Sequence, residues 1–125
     1  MPPASRPLTA PRAIPHLAPA DLTALLADPG VTLLDFTAAW CGPCKQLTPL
    51  LGELATAYTG RVRIAAVDVD AAPQVAQAFR VTSMPTMVLV RGGREVGRMV
   101  GTRPRAVIAG ALDRALRGDV AITGG

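Results

Sequence analysis

The order of apolar and polar positions divides the chain into short strands and amphipathic helices. Val31–Thr37 is almost wholly apolar, as in a strand that is buried on both faces of a sheet. Arg61–Val69 alternates and then becomes apolar, which predicts a second strand. After Trp40, leucines recur at helical spacing as far as a stop at Gly60, so a long helix is expected there. Its apolar stripe consists of Leu47, Leu50, Leu51 and Leu54, and Pro49 within it should kink the helix.

The second half of the chain has the pattern of a hairpin followed by a helix. Two apolar runs, Thr86–Val90 and Glu95–Val100, flank Gly92-Gly93 and predict a β-hairpin. Thr102 can cap a last helix that has Pro104 in its first turn. The apolar stripe of that helix is expected at Val107, Ile108, Leu112 and Leu116, with Gly118 after its end.

The predicted elements first alternate between strand and helix and then end with the hairpin and a helix. That order predicts an α/β fold with a central mixed β-sheet flanked by helices on both faces. We expect one domain at 13–118, a disordered N-terminal tail at 1–12 and a flexible C-terminal tail at 119–125. The shorter predicted elements are an edge strand at Ala13–Leu17 and helices at Pro19–Ala27 and Pro73–Phe79.

Length and composition narrow the class of protein. A chain of 125 residues can bury one core but not two. It has no apolar run of roughly 18 residues, and its proline-rich start lacks the apolar region of a secretory signal. We therefore expect a cytoplasmic protein that does not bind membranes. The net charge of +4 comes from arginines spread along the chain, and aromatic residues are few, which argues against nucleic-acid binding.

The two cysteines of the chain are separated by two residues in the segment Trp40-Cys41-Gly42-Pro43-Cys44-Lys45, shortly after the predicted strand Val31–Thr37. If this segment begins a helix, the two thiols can form a disulfide with little backbone movement, which is typical of a dithiol/disulfide exchanger. We expect Cys41, at the exposed tip of the helix, to be the nucleophile, and Cys44, one turn later, to be the resolving thiol. A zinc site is not expected, because zinc prefers four ligands and the only histidine, the distant His16, is expected to be an ordinary strand or surface residue.

Asp35 is an acidic residue within a predicted core strand. The flanking residues Leu33, Leu34 and Phe36 are apolar, so the carboxyl group should be buried. Burial disfavours the ionised form, and we therefore expect the pKa of Asp35 to be raised. Asp68, Asp70 and Lys45 are interpreted as solvated charges.

Several separated motifs resemble the thioredoxin family in identity and in spacing. The resemblance covers roughly Ile14 to Arg117 and implies a thioredoxin fold, no bound cofactor and the reduction of protein disulfides. It also implies two kinds of partner: oxidised client proteins, and a flavoprotein thioredoxin reductase that supplies electrons from NADPH. The motifs are Trp40-Cys41-Gly42-Pro43-Cys44-Lys45, Pro49 in the following helix, Met84-Pro85-Thr86, Gly92-Gly93 and Val100-Gly101.

The resemblance also implies roles for individual residues. Asp35 would be the base that deprotonates Cys44, acting through water. A cis Met84–Pro85 bond opposite Cys41 would expose the Met84 backbone to pair with a client chain. The uncharged docking surface would consist of Trp40, Gly42, Pro43, Met84 and Gly101.

The chain departs from the family at Ala66, where many members have a lysine that partners the buried acid, and at Thr37, where many have tryptophan. Without that lysine, the pKa of Asp35 should rise further. Besides a general reductase, which we expect to be a monomer, two alternatives remain open. One is a thioredoxin-like protein dedicated to one client, and the other is a thioredoxin-fold binding or chaperone subunit.

Overall fold

The computed structural model describes residues 14–118 and 122–123. The strands in this part of the chain are β1 (Val31–Thr37), β2 (Val62–Asp68), β3 (Thr86–Arg91), β4 (Arg94–Val100) and β5 (Ile122–Thr123). They form one sheet in the order β2-β1-β3-β4-β5. The pairs β1–β2 and β4–β5 are parallel, and the pairs β1–β3 and β3–β4 are antiparallel. The predicted mixed sheet is confirmed.

Helices cover both faces of this sheet, as predicted. A 3-10 turn at Pro19–Asp21 leads into α1 (Leu22–Ala27), and the other helices are α2 (Gly42–Ala57), α3 (Pro73–Ala78) and α4 (Arg105–Arg117). The apolar residues of α2 and α4 form one core cluster with one face of the sheet, and those of α1 and α3 form a second cluster with the other face. The sheet is therefore enclosed on both sides, which explains why β1 is apolar at nearly every position.

Strand β1 lies between β2 and β3, next to the centre of the sheet. Leu33 packs into the α2/α4 cluster, whereas Leu34 and Phe36 pack into the α1/α3 cluster. Asp35 lies between them and is also buried. Because side chains alternate along a strand, Asp35 shares the α2/α4 face with Leu33.

The N-terminal segment lies at the edge of the sheet, beside β2. His16 forms an isolated parallel bridge with Ala66, while the flanking Pro15 carbonyl accepts from the Ala66 amide and the Leu17 amide donates to the Ala66 carbonyl. The predicted edge strand is thus reduced to a single bridge. Pro15 supplies only its carbonyl there, which is the one backbone group that proline can offer. Ala13 and the predicted tail at 1–12 lie outside the described residues.

The β3–β4 hairpin turns at two glycines, as predicted. Gly92 and Gly93 have φ values of 58° and 79°, as the tight turns that suit hairpins require. A Cβ atom on Gly93 would collide with the carbonyl oxygen of Leu26, since the turn lies directly against the end of α1. Gly93 is therefore required both for its backbone conformation and for a close approach.

The start of α4 differs from the prediction. The N-cap is Pro104 rather than Thr102, and the Pro104 carbonyl accepts the first helical bonds from Val107 and Ile108. Thr102 lies two residues too early, because a capping side chain reaches only the second or third helical amide. Val107 was also predicted on the apolar stripe but is 45% exposed. The buried face of α4 consists of Ile108, Ala111, Leu112 and Ala115.

At the C-terminal end, Gly118 ends α4 in the left-handed conformation, as predicted. Of the segment predicted to be flexible, 119–125, only Ile122 and Thr123 are described, and they pair with Gly97 and Arg98 as β5. The edge of β4 offers the backbone groups for this pairing. Within the described ranges, no helix combines the length and the apolar character needed to cross a bilayer.

Candidate functional site

The two cysteines lie where the chain leaves β1 and enters α2. Cys41 is the N-cap of α2, with extended backbone angles, and its Sγ accepts a hydrogen bond of 3.2 Å from the Cys44 amide. Its own amide donates to the Ala38 carbonyl at 3.0 Å, which fixes the turn before the helix. The predicted loop-to-helix junction is confirmed. A sulfur in this position lies at the positive end of the helix dipole, which favours the thiolate when the pair is reduced.

The structure shows the oxidised form, with a Cys41–Cys44 disulfide and Cα atoms 5.3 Å apart. The disulfide is set into the surface rather than raised above it. Cys41 is 4% exposed and Cys44 is 1% exposed. Both pack with Ala38, and Met84 and Val69 adjoin this small apolar cluster. The prediction of an exposed Cys41 is therefore wrong for the oxidised form, because neighbouring loops from two other parts of the chain close around the sulfurs.

One of those loops carries the predicted proline. The Met84–Pro85 peptide bond is cis, and Met84 is packed against the cysteine cluster. The Pro85 carbonyl accepts a 2.8 Å hydrogen bond from the amide of Gly101, which has φ of 89°. This bond joins the start of β3 to the residue after β4. The resemblance-based expectation that Met84, Pro85 and Gly101 lie together near Cys41 agrees with this arrangement.

Three residues around the disulfide are exposed. Trp40 is 66% exposed, more than any other large hydrophobic side chain in the described part of the chain. Gly42 and Pro43 beside it are also exposed. A Cβ atom on Gly42 would meet no atom within 4 Å, so packing within this chain does not require glycine there. Together with Met84 and Gly101, these residues form an uncharged rim, which we call the docking rim.

The Trp40 side chain is hydrogen-bonded to Asp70, which the sequence analysis interpreted as a solvated charge. Its indole Nε1 donates a 2.8 Å hydrogen bond to Oδ2 of Asp70. Asp68 was also assigned no role, yet its Oδ1 accepts from the amides of Asp70 and Ala71 at 2.9 and 3.2 Å and so shapes the loop. The available signal was topological: parallel neighbouring strands end at the same edge of a sheet, so the loops that follow β1 and β2 had to meet.

Asp35 is buried, 4% exposed, and its Oδ1 has no hydrogen-bond partner. Burial raises the pKa of Asp35 to about 6, from an ordinary value of 3.8. The predicted direction is confirmed. In the sheet register Asp35 pairs with Ala66, so the methyl group of Ala66 occupies the position directly beside the carboxyl group.

A cavity of about 260 Å³ with both polar and apolar lining residues adjoins Asp35. Besides Asp35 and Ala66, its lining includes His16 from the N-terminal segment, Lys45 from α2 and Asp68 from the end of β2. Sequence reasoning placed His16 far from the site, but the structure brings it to the same cavity as Asp35. No group of three or more potential metal-ligating side chains is clustered within residues 14–118 and 122–123.

Comparisons with known proteins agree with this geometry. The thioredoxin family model matches residues 14–114. A thioredoxin of Staphylococcus aureus is 44% identical over 87 residues, which cover 70% of this chain and 84% of the relative. A thioredoxin of Staphylococcus haemolyticus is 45% identical over the same lengths.

Among solved structures, the chain is similar to one determined in a study of how yeast mitochondrial 1-Cys peroxiredoxin is resolved by glutathione and thioredoxin systems. That structure superposes with a TM-score of 0.73 at 36% identity and covers 81% of this chain and 95% of its own. A disulfide at the start of α2, the cis-proline loop beside it and these similarities agree with one another. The chain is a thiol-disulfide oxidoreductase and belongs to the thioredoxin family.

Proposed function

We propose that this protein reduces disulfides of client proteins by exchanging them with its own Cys41–Cys44 dithiol. The observation that supports this most directly is the disulfide itself, formed across the first turn of α2 with the Cys41 sulfur at the helix N-terminus. A pair that closes within one helical turn without displacing other elements can alternate between dithiol and disulfide.

The proposed reaction has two exchange steps. In the first, the Cys41 thiolate attacks one sulfur of the client disulfide, a mixed disulfide forms, and the other client sulfur leaves as a thiolate. In the second, the Cys44 thiolate attacks the Cys41 sulfur, and the remaining client sulfur leaves. The client gains two electrons and, from water, two protons, while the protein is left with the disulfide seen here.

Cys41 is proposed as the attacking sulfur because it receives the stabilisation that α2 offers. The Cys44 amide that bonds to its Sγ in the disulfide can bond to the thiolate in the dithiol form, and charge-assisted bonds of this type are stronger than neutral ones. Cys44, by contrast, lies inside the first turn and is almost fully covered. It is placed to attack a sulfur held on Cys41, not a client in solution.

Asp35 is proposed as the base that removes the Cys44 proton, through water. Its raised pKa suits this task, since a carboxyl group that titrates at about 6 can both accept and return a proton near neutral pH. An ordinary exposed aspartate would be too weak a base for a thiol. The cavity beside Asp35 is large enough to hold water next to its carboxyl group.

The docking rim is proposed to bind clients by shape and backbone contact. It presents the exposed Trp40 ring and the small residues Gly42 and Gly101, and Met84, which precedes the cis bond to Pro85, packs against the cysteine cluster. A short client segment can pair with that backbone as an added strand. The five residues of the docking rim are uncharged, so the rim is suited to binding many different clients rather than one.

For its electrons, the protein is proposed to depend on a flavoprotein thioredoxin reductase that uses NADPH. The proposed compartment is the cytoplasm, where thiols are kept reduced and a CxxC pair can act repeatedly. The proposed working state is a monomer.

The insulin precipitation assay tests the proposed activity. With dithiothreitol as the reductant, the protein should accelerate insulin precipitation, and Cys41→Ser should abolish the acceleration while leaving the fold intact. Thr56→Ala, near the other end of α2, is the matched control and should retain activity. A protein that binds insulin but gives no acceleration would instead be a binding module. Activity with dithiothreitol but none with NADPH and thioredoxin reductase would favour a protein dedicated to one client.

A further inference from the structure

Three residues, one of them the buried Asp35, lie side by side and form a row across the sheet. Asp35 on β1 pairs with Ala66 on β2, and Ala66 pairs with His16 in the N-terminal segment. Partners in register place their side chains on the same face of a sheet. Neighbouring strands are about 4.8 Å apart, so the backbones of Asp35 and His16 are separated by roughly 10 Å, with only the Ala66 methyl group between them.

The space above Ala66 is the 260 Å³ cavity, and both outer members of the row line it. At its inner end is Asp35, whose Oδ1 is buried and without a partner. At its outer end is His16, which is exposed. A cavity of this size holds several waters, and polar groups at both ends give those waters partners. The row therefore connects a buried carboxyl group to an ionisable side chain at the surface.

Other charged groups also face this cavity and have to be considered. Lys45 from the first turn of α2 and Asp68 from the end of β2 line it, with charges of opposite sign. On its other side, His16 adjoins a second cavity with Asp21 and Arg63, and Arg63 is ion-paired with Asp28. Among these groups only an imidazole ordinarily changes its charge between pH 5 and pH 8.

We propose that His16 is the electrostatic partner of Asp35, acting across the cavity that Ala66 leaves open, so that the charge on its imidazole governs how readily Asp35 ionises. His16 touches neither the thiols nor a client and is a positioning residue. When His16 is protonated, its positive charge stabilises the Asp35 carboxylate, and the base stays available at lower pH. The link to turnover rests on the proposed role of Asp35 as a base, whereas the coupling itself does not.

The coupling can be measured in the oxidised protein, independently of turnover. Carboxyl and imidazole NMR signals are followed through a pH titration of the wild type, His16→Gln and Asp35→Asn. Coupled groups each report the other's titration. His16→Gln should move the Asp35 midpoint upward by roughly half a pH unit to one pH unit, as expected for charges roughly 10 Å apart in a partly solvated site. The His16 signals should show two steps in the wild type and one step in Asp35→Asn.

Two further variants separate this coupling from a general effect of charge. Arg114→Gln removes an exposed cation from α4, away from the cavity, and should leave the Asp35 titration unchanged. Ala66→Lys places an ammonium group between the two residues, and in that background His16→Gln should have a much smaller effect. An Asp35 midpoint that is the same in the wild type and in His16→Gln would overturn the proposal.

The same variants distinguish failure of the coupling from failure of the proposed function. If the coupling and the base role both hold, the pH profile of the resolving step should move upward in His16→Gln by the same amount as the Asp35 midpoint. If the midpoint moves but the profile does not, the coupling stands and Asp35 is not the base. If Asp35→Asn slows the resolving step but His16→Gln moves neither quantity, only the coupling is wrong.

Discussion

At the scale of single residues, the most consequential side chain is the carboxyl group of Asp35, which is buried among apolar residues. Asp35 lies on a central strand with one oxygen unpartnered, and its pKa is about 6 instead of 3.8. A group whose pKa is raised on folding stabilises the native state while it is protonated. That contribution is complete below about pH 4 and is lost as the pH rises through about 6. Near neutral pH the protein therefore carries a buried charge that lowers its stability.

Replacing Asp35 by asparagine should remove this cost. Relative to the wild type, Asp35→Asn should gain unfolding free energy between pH 4 and pH 6 and keep the gain above that range, at most about 3 kcal/mol for a shift of this size. The same variant should reduce insulin more slowly, because Asp35 is the proposed base for Cys44. Denaturant titrations of the oxidised proteins at pH 4 and pH 8 give the comparison. A stability difference that is equal at both pH values would contradict this account of Asp35.

Trp40 and Asp70 give a second prediction at this scale. Asp70→Ala removes the acceptor of the indole hydrogen bond, whereas Asp70→Asn retains an acceptor oxygen. Because the pair is exposed, we expect a stability change of less than about 1 kcal/mol in either variant. The indole N–H of Asp70→Ala should exchange with solvent faster, and its KM for insulin should rise. Asp70→Asn should resemble the wild type, and equal behaviour of the two variants would show that the hydrogen bond does not position the ring.

At the scale of elements, the sequence predicted those strands and helices whose buried positions recur in a regular pattern along the chain. Strands β1 and β2 were placed within one residue of their ends, because strands covered on both faces have a nearly continuous apolar pattern. The start of α4 and the exposure of Val107 were missed, because Ala111 and Ala115 complete its buried face and alanine gives little hydrophobic signal. His16 and Asp70 were missed for another reason: their partners lie on other strands and loops, and no local pattern records such contacts.

The β3–β4 turn provides a prediction for an element. Gly93→Ala would place a Cβ atom against the Leu26 carbonyl oxygen, and a backbone oxygen cannot move aside as a side chain can. We expect a loss of about 2–4 kcal/mol of unfolding free energy from the collision together with the positive φ. Gly92→Ala is the matched control, since its Cβ atom would meet open space, and it should lose only about 1 kcal/mol. Equal losses, measured by denaturant titration, would mean that the turn does not press on α1.

At the scale of the whole molecule, the fold gathers the site from separate parts of the chain. β1 and α2 supply the thiols, the loop before β3 supplies the cis-proline, and the residue after β4 closes the rim through the Gly101–Pro85 bond. The cysteines and Asp35 were identifiable from sequence, because a closely spaced cysteine pair and an acid within an apolar strand are both unusual. The depth of the disulfide was not, since it depends on how closely Ala38 and Met84 pack around it.

That depth bears on the central claim, which is that Cys41 attacks the client and Cys44 releases it. Cys41 is only slightly more exposed than Cys44 in the oxidised form, at 4% against 1%. The claim therefore depends on the helix N-terminus and on the exposed rim that surrounds the sulfur, rather than on simple accessibility. It follows that a disulfide small enough to approach this surface should discriminate between the two thiols.

The most direct measurement is the capture of a disulfide by single-cysteine variants. Reduced Cys44→Ser and Cys41→Ser are mixed with an excess of a disulfide-bonded peptide at pH 7, and covalent adducts are followed over time by mass spectrometry. We predict that Cys44→Ser forms a stable mixed disulfide through Cys41 quickly, and that Cys41→Ser forms its adduct at least about tenfold more slowly. Equal rates, or faster capture by Cys44, would contradict the assignment of Cys41 as the attacking sulfur.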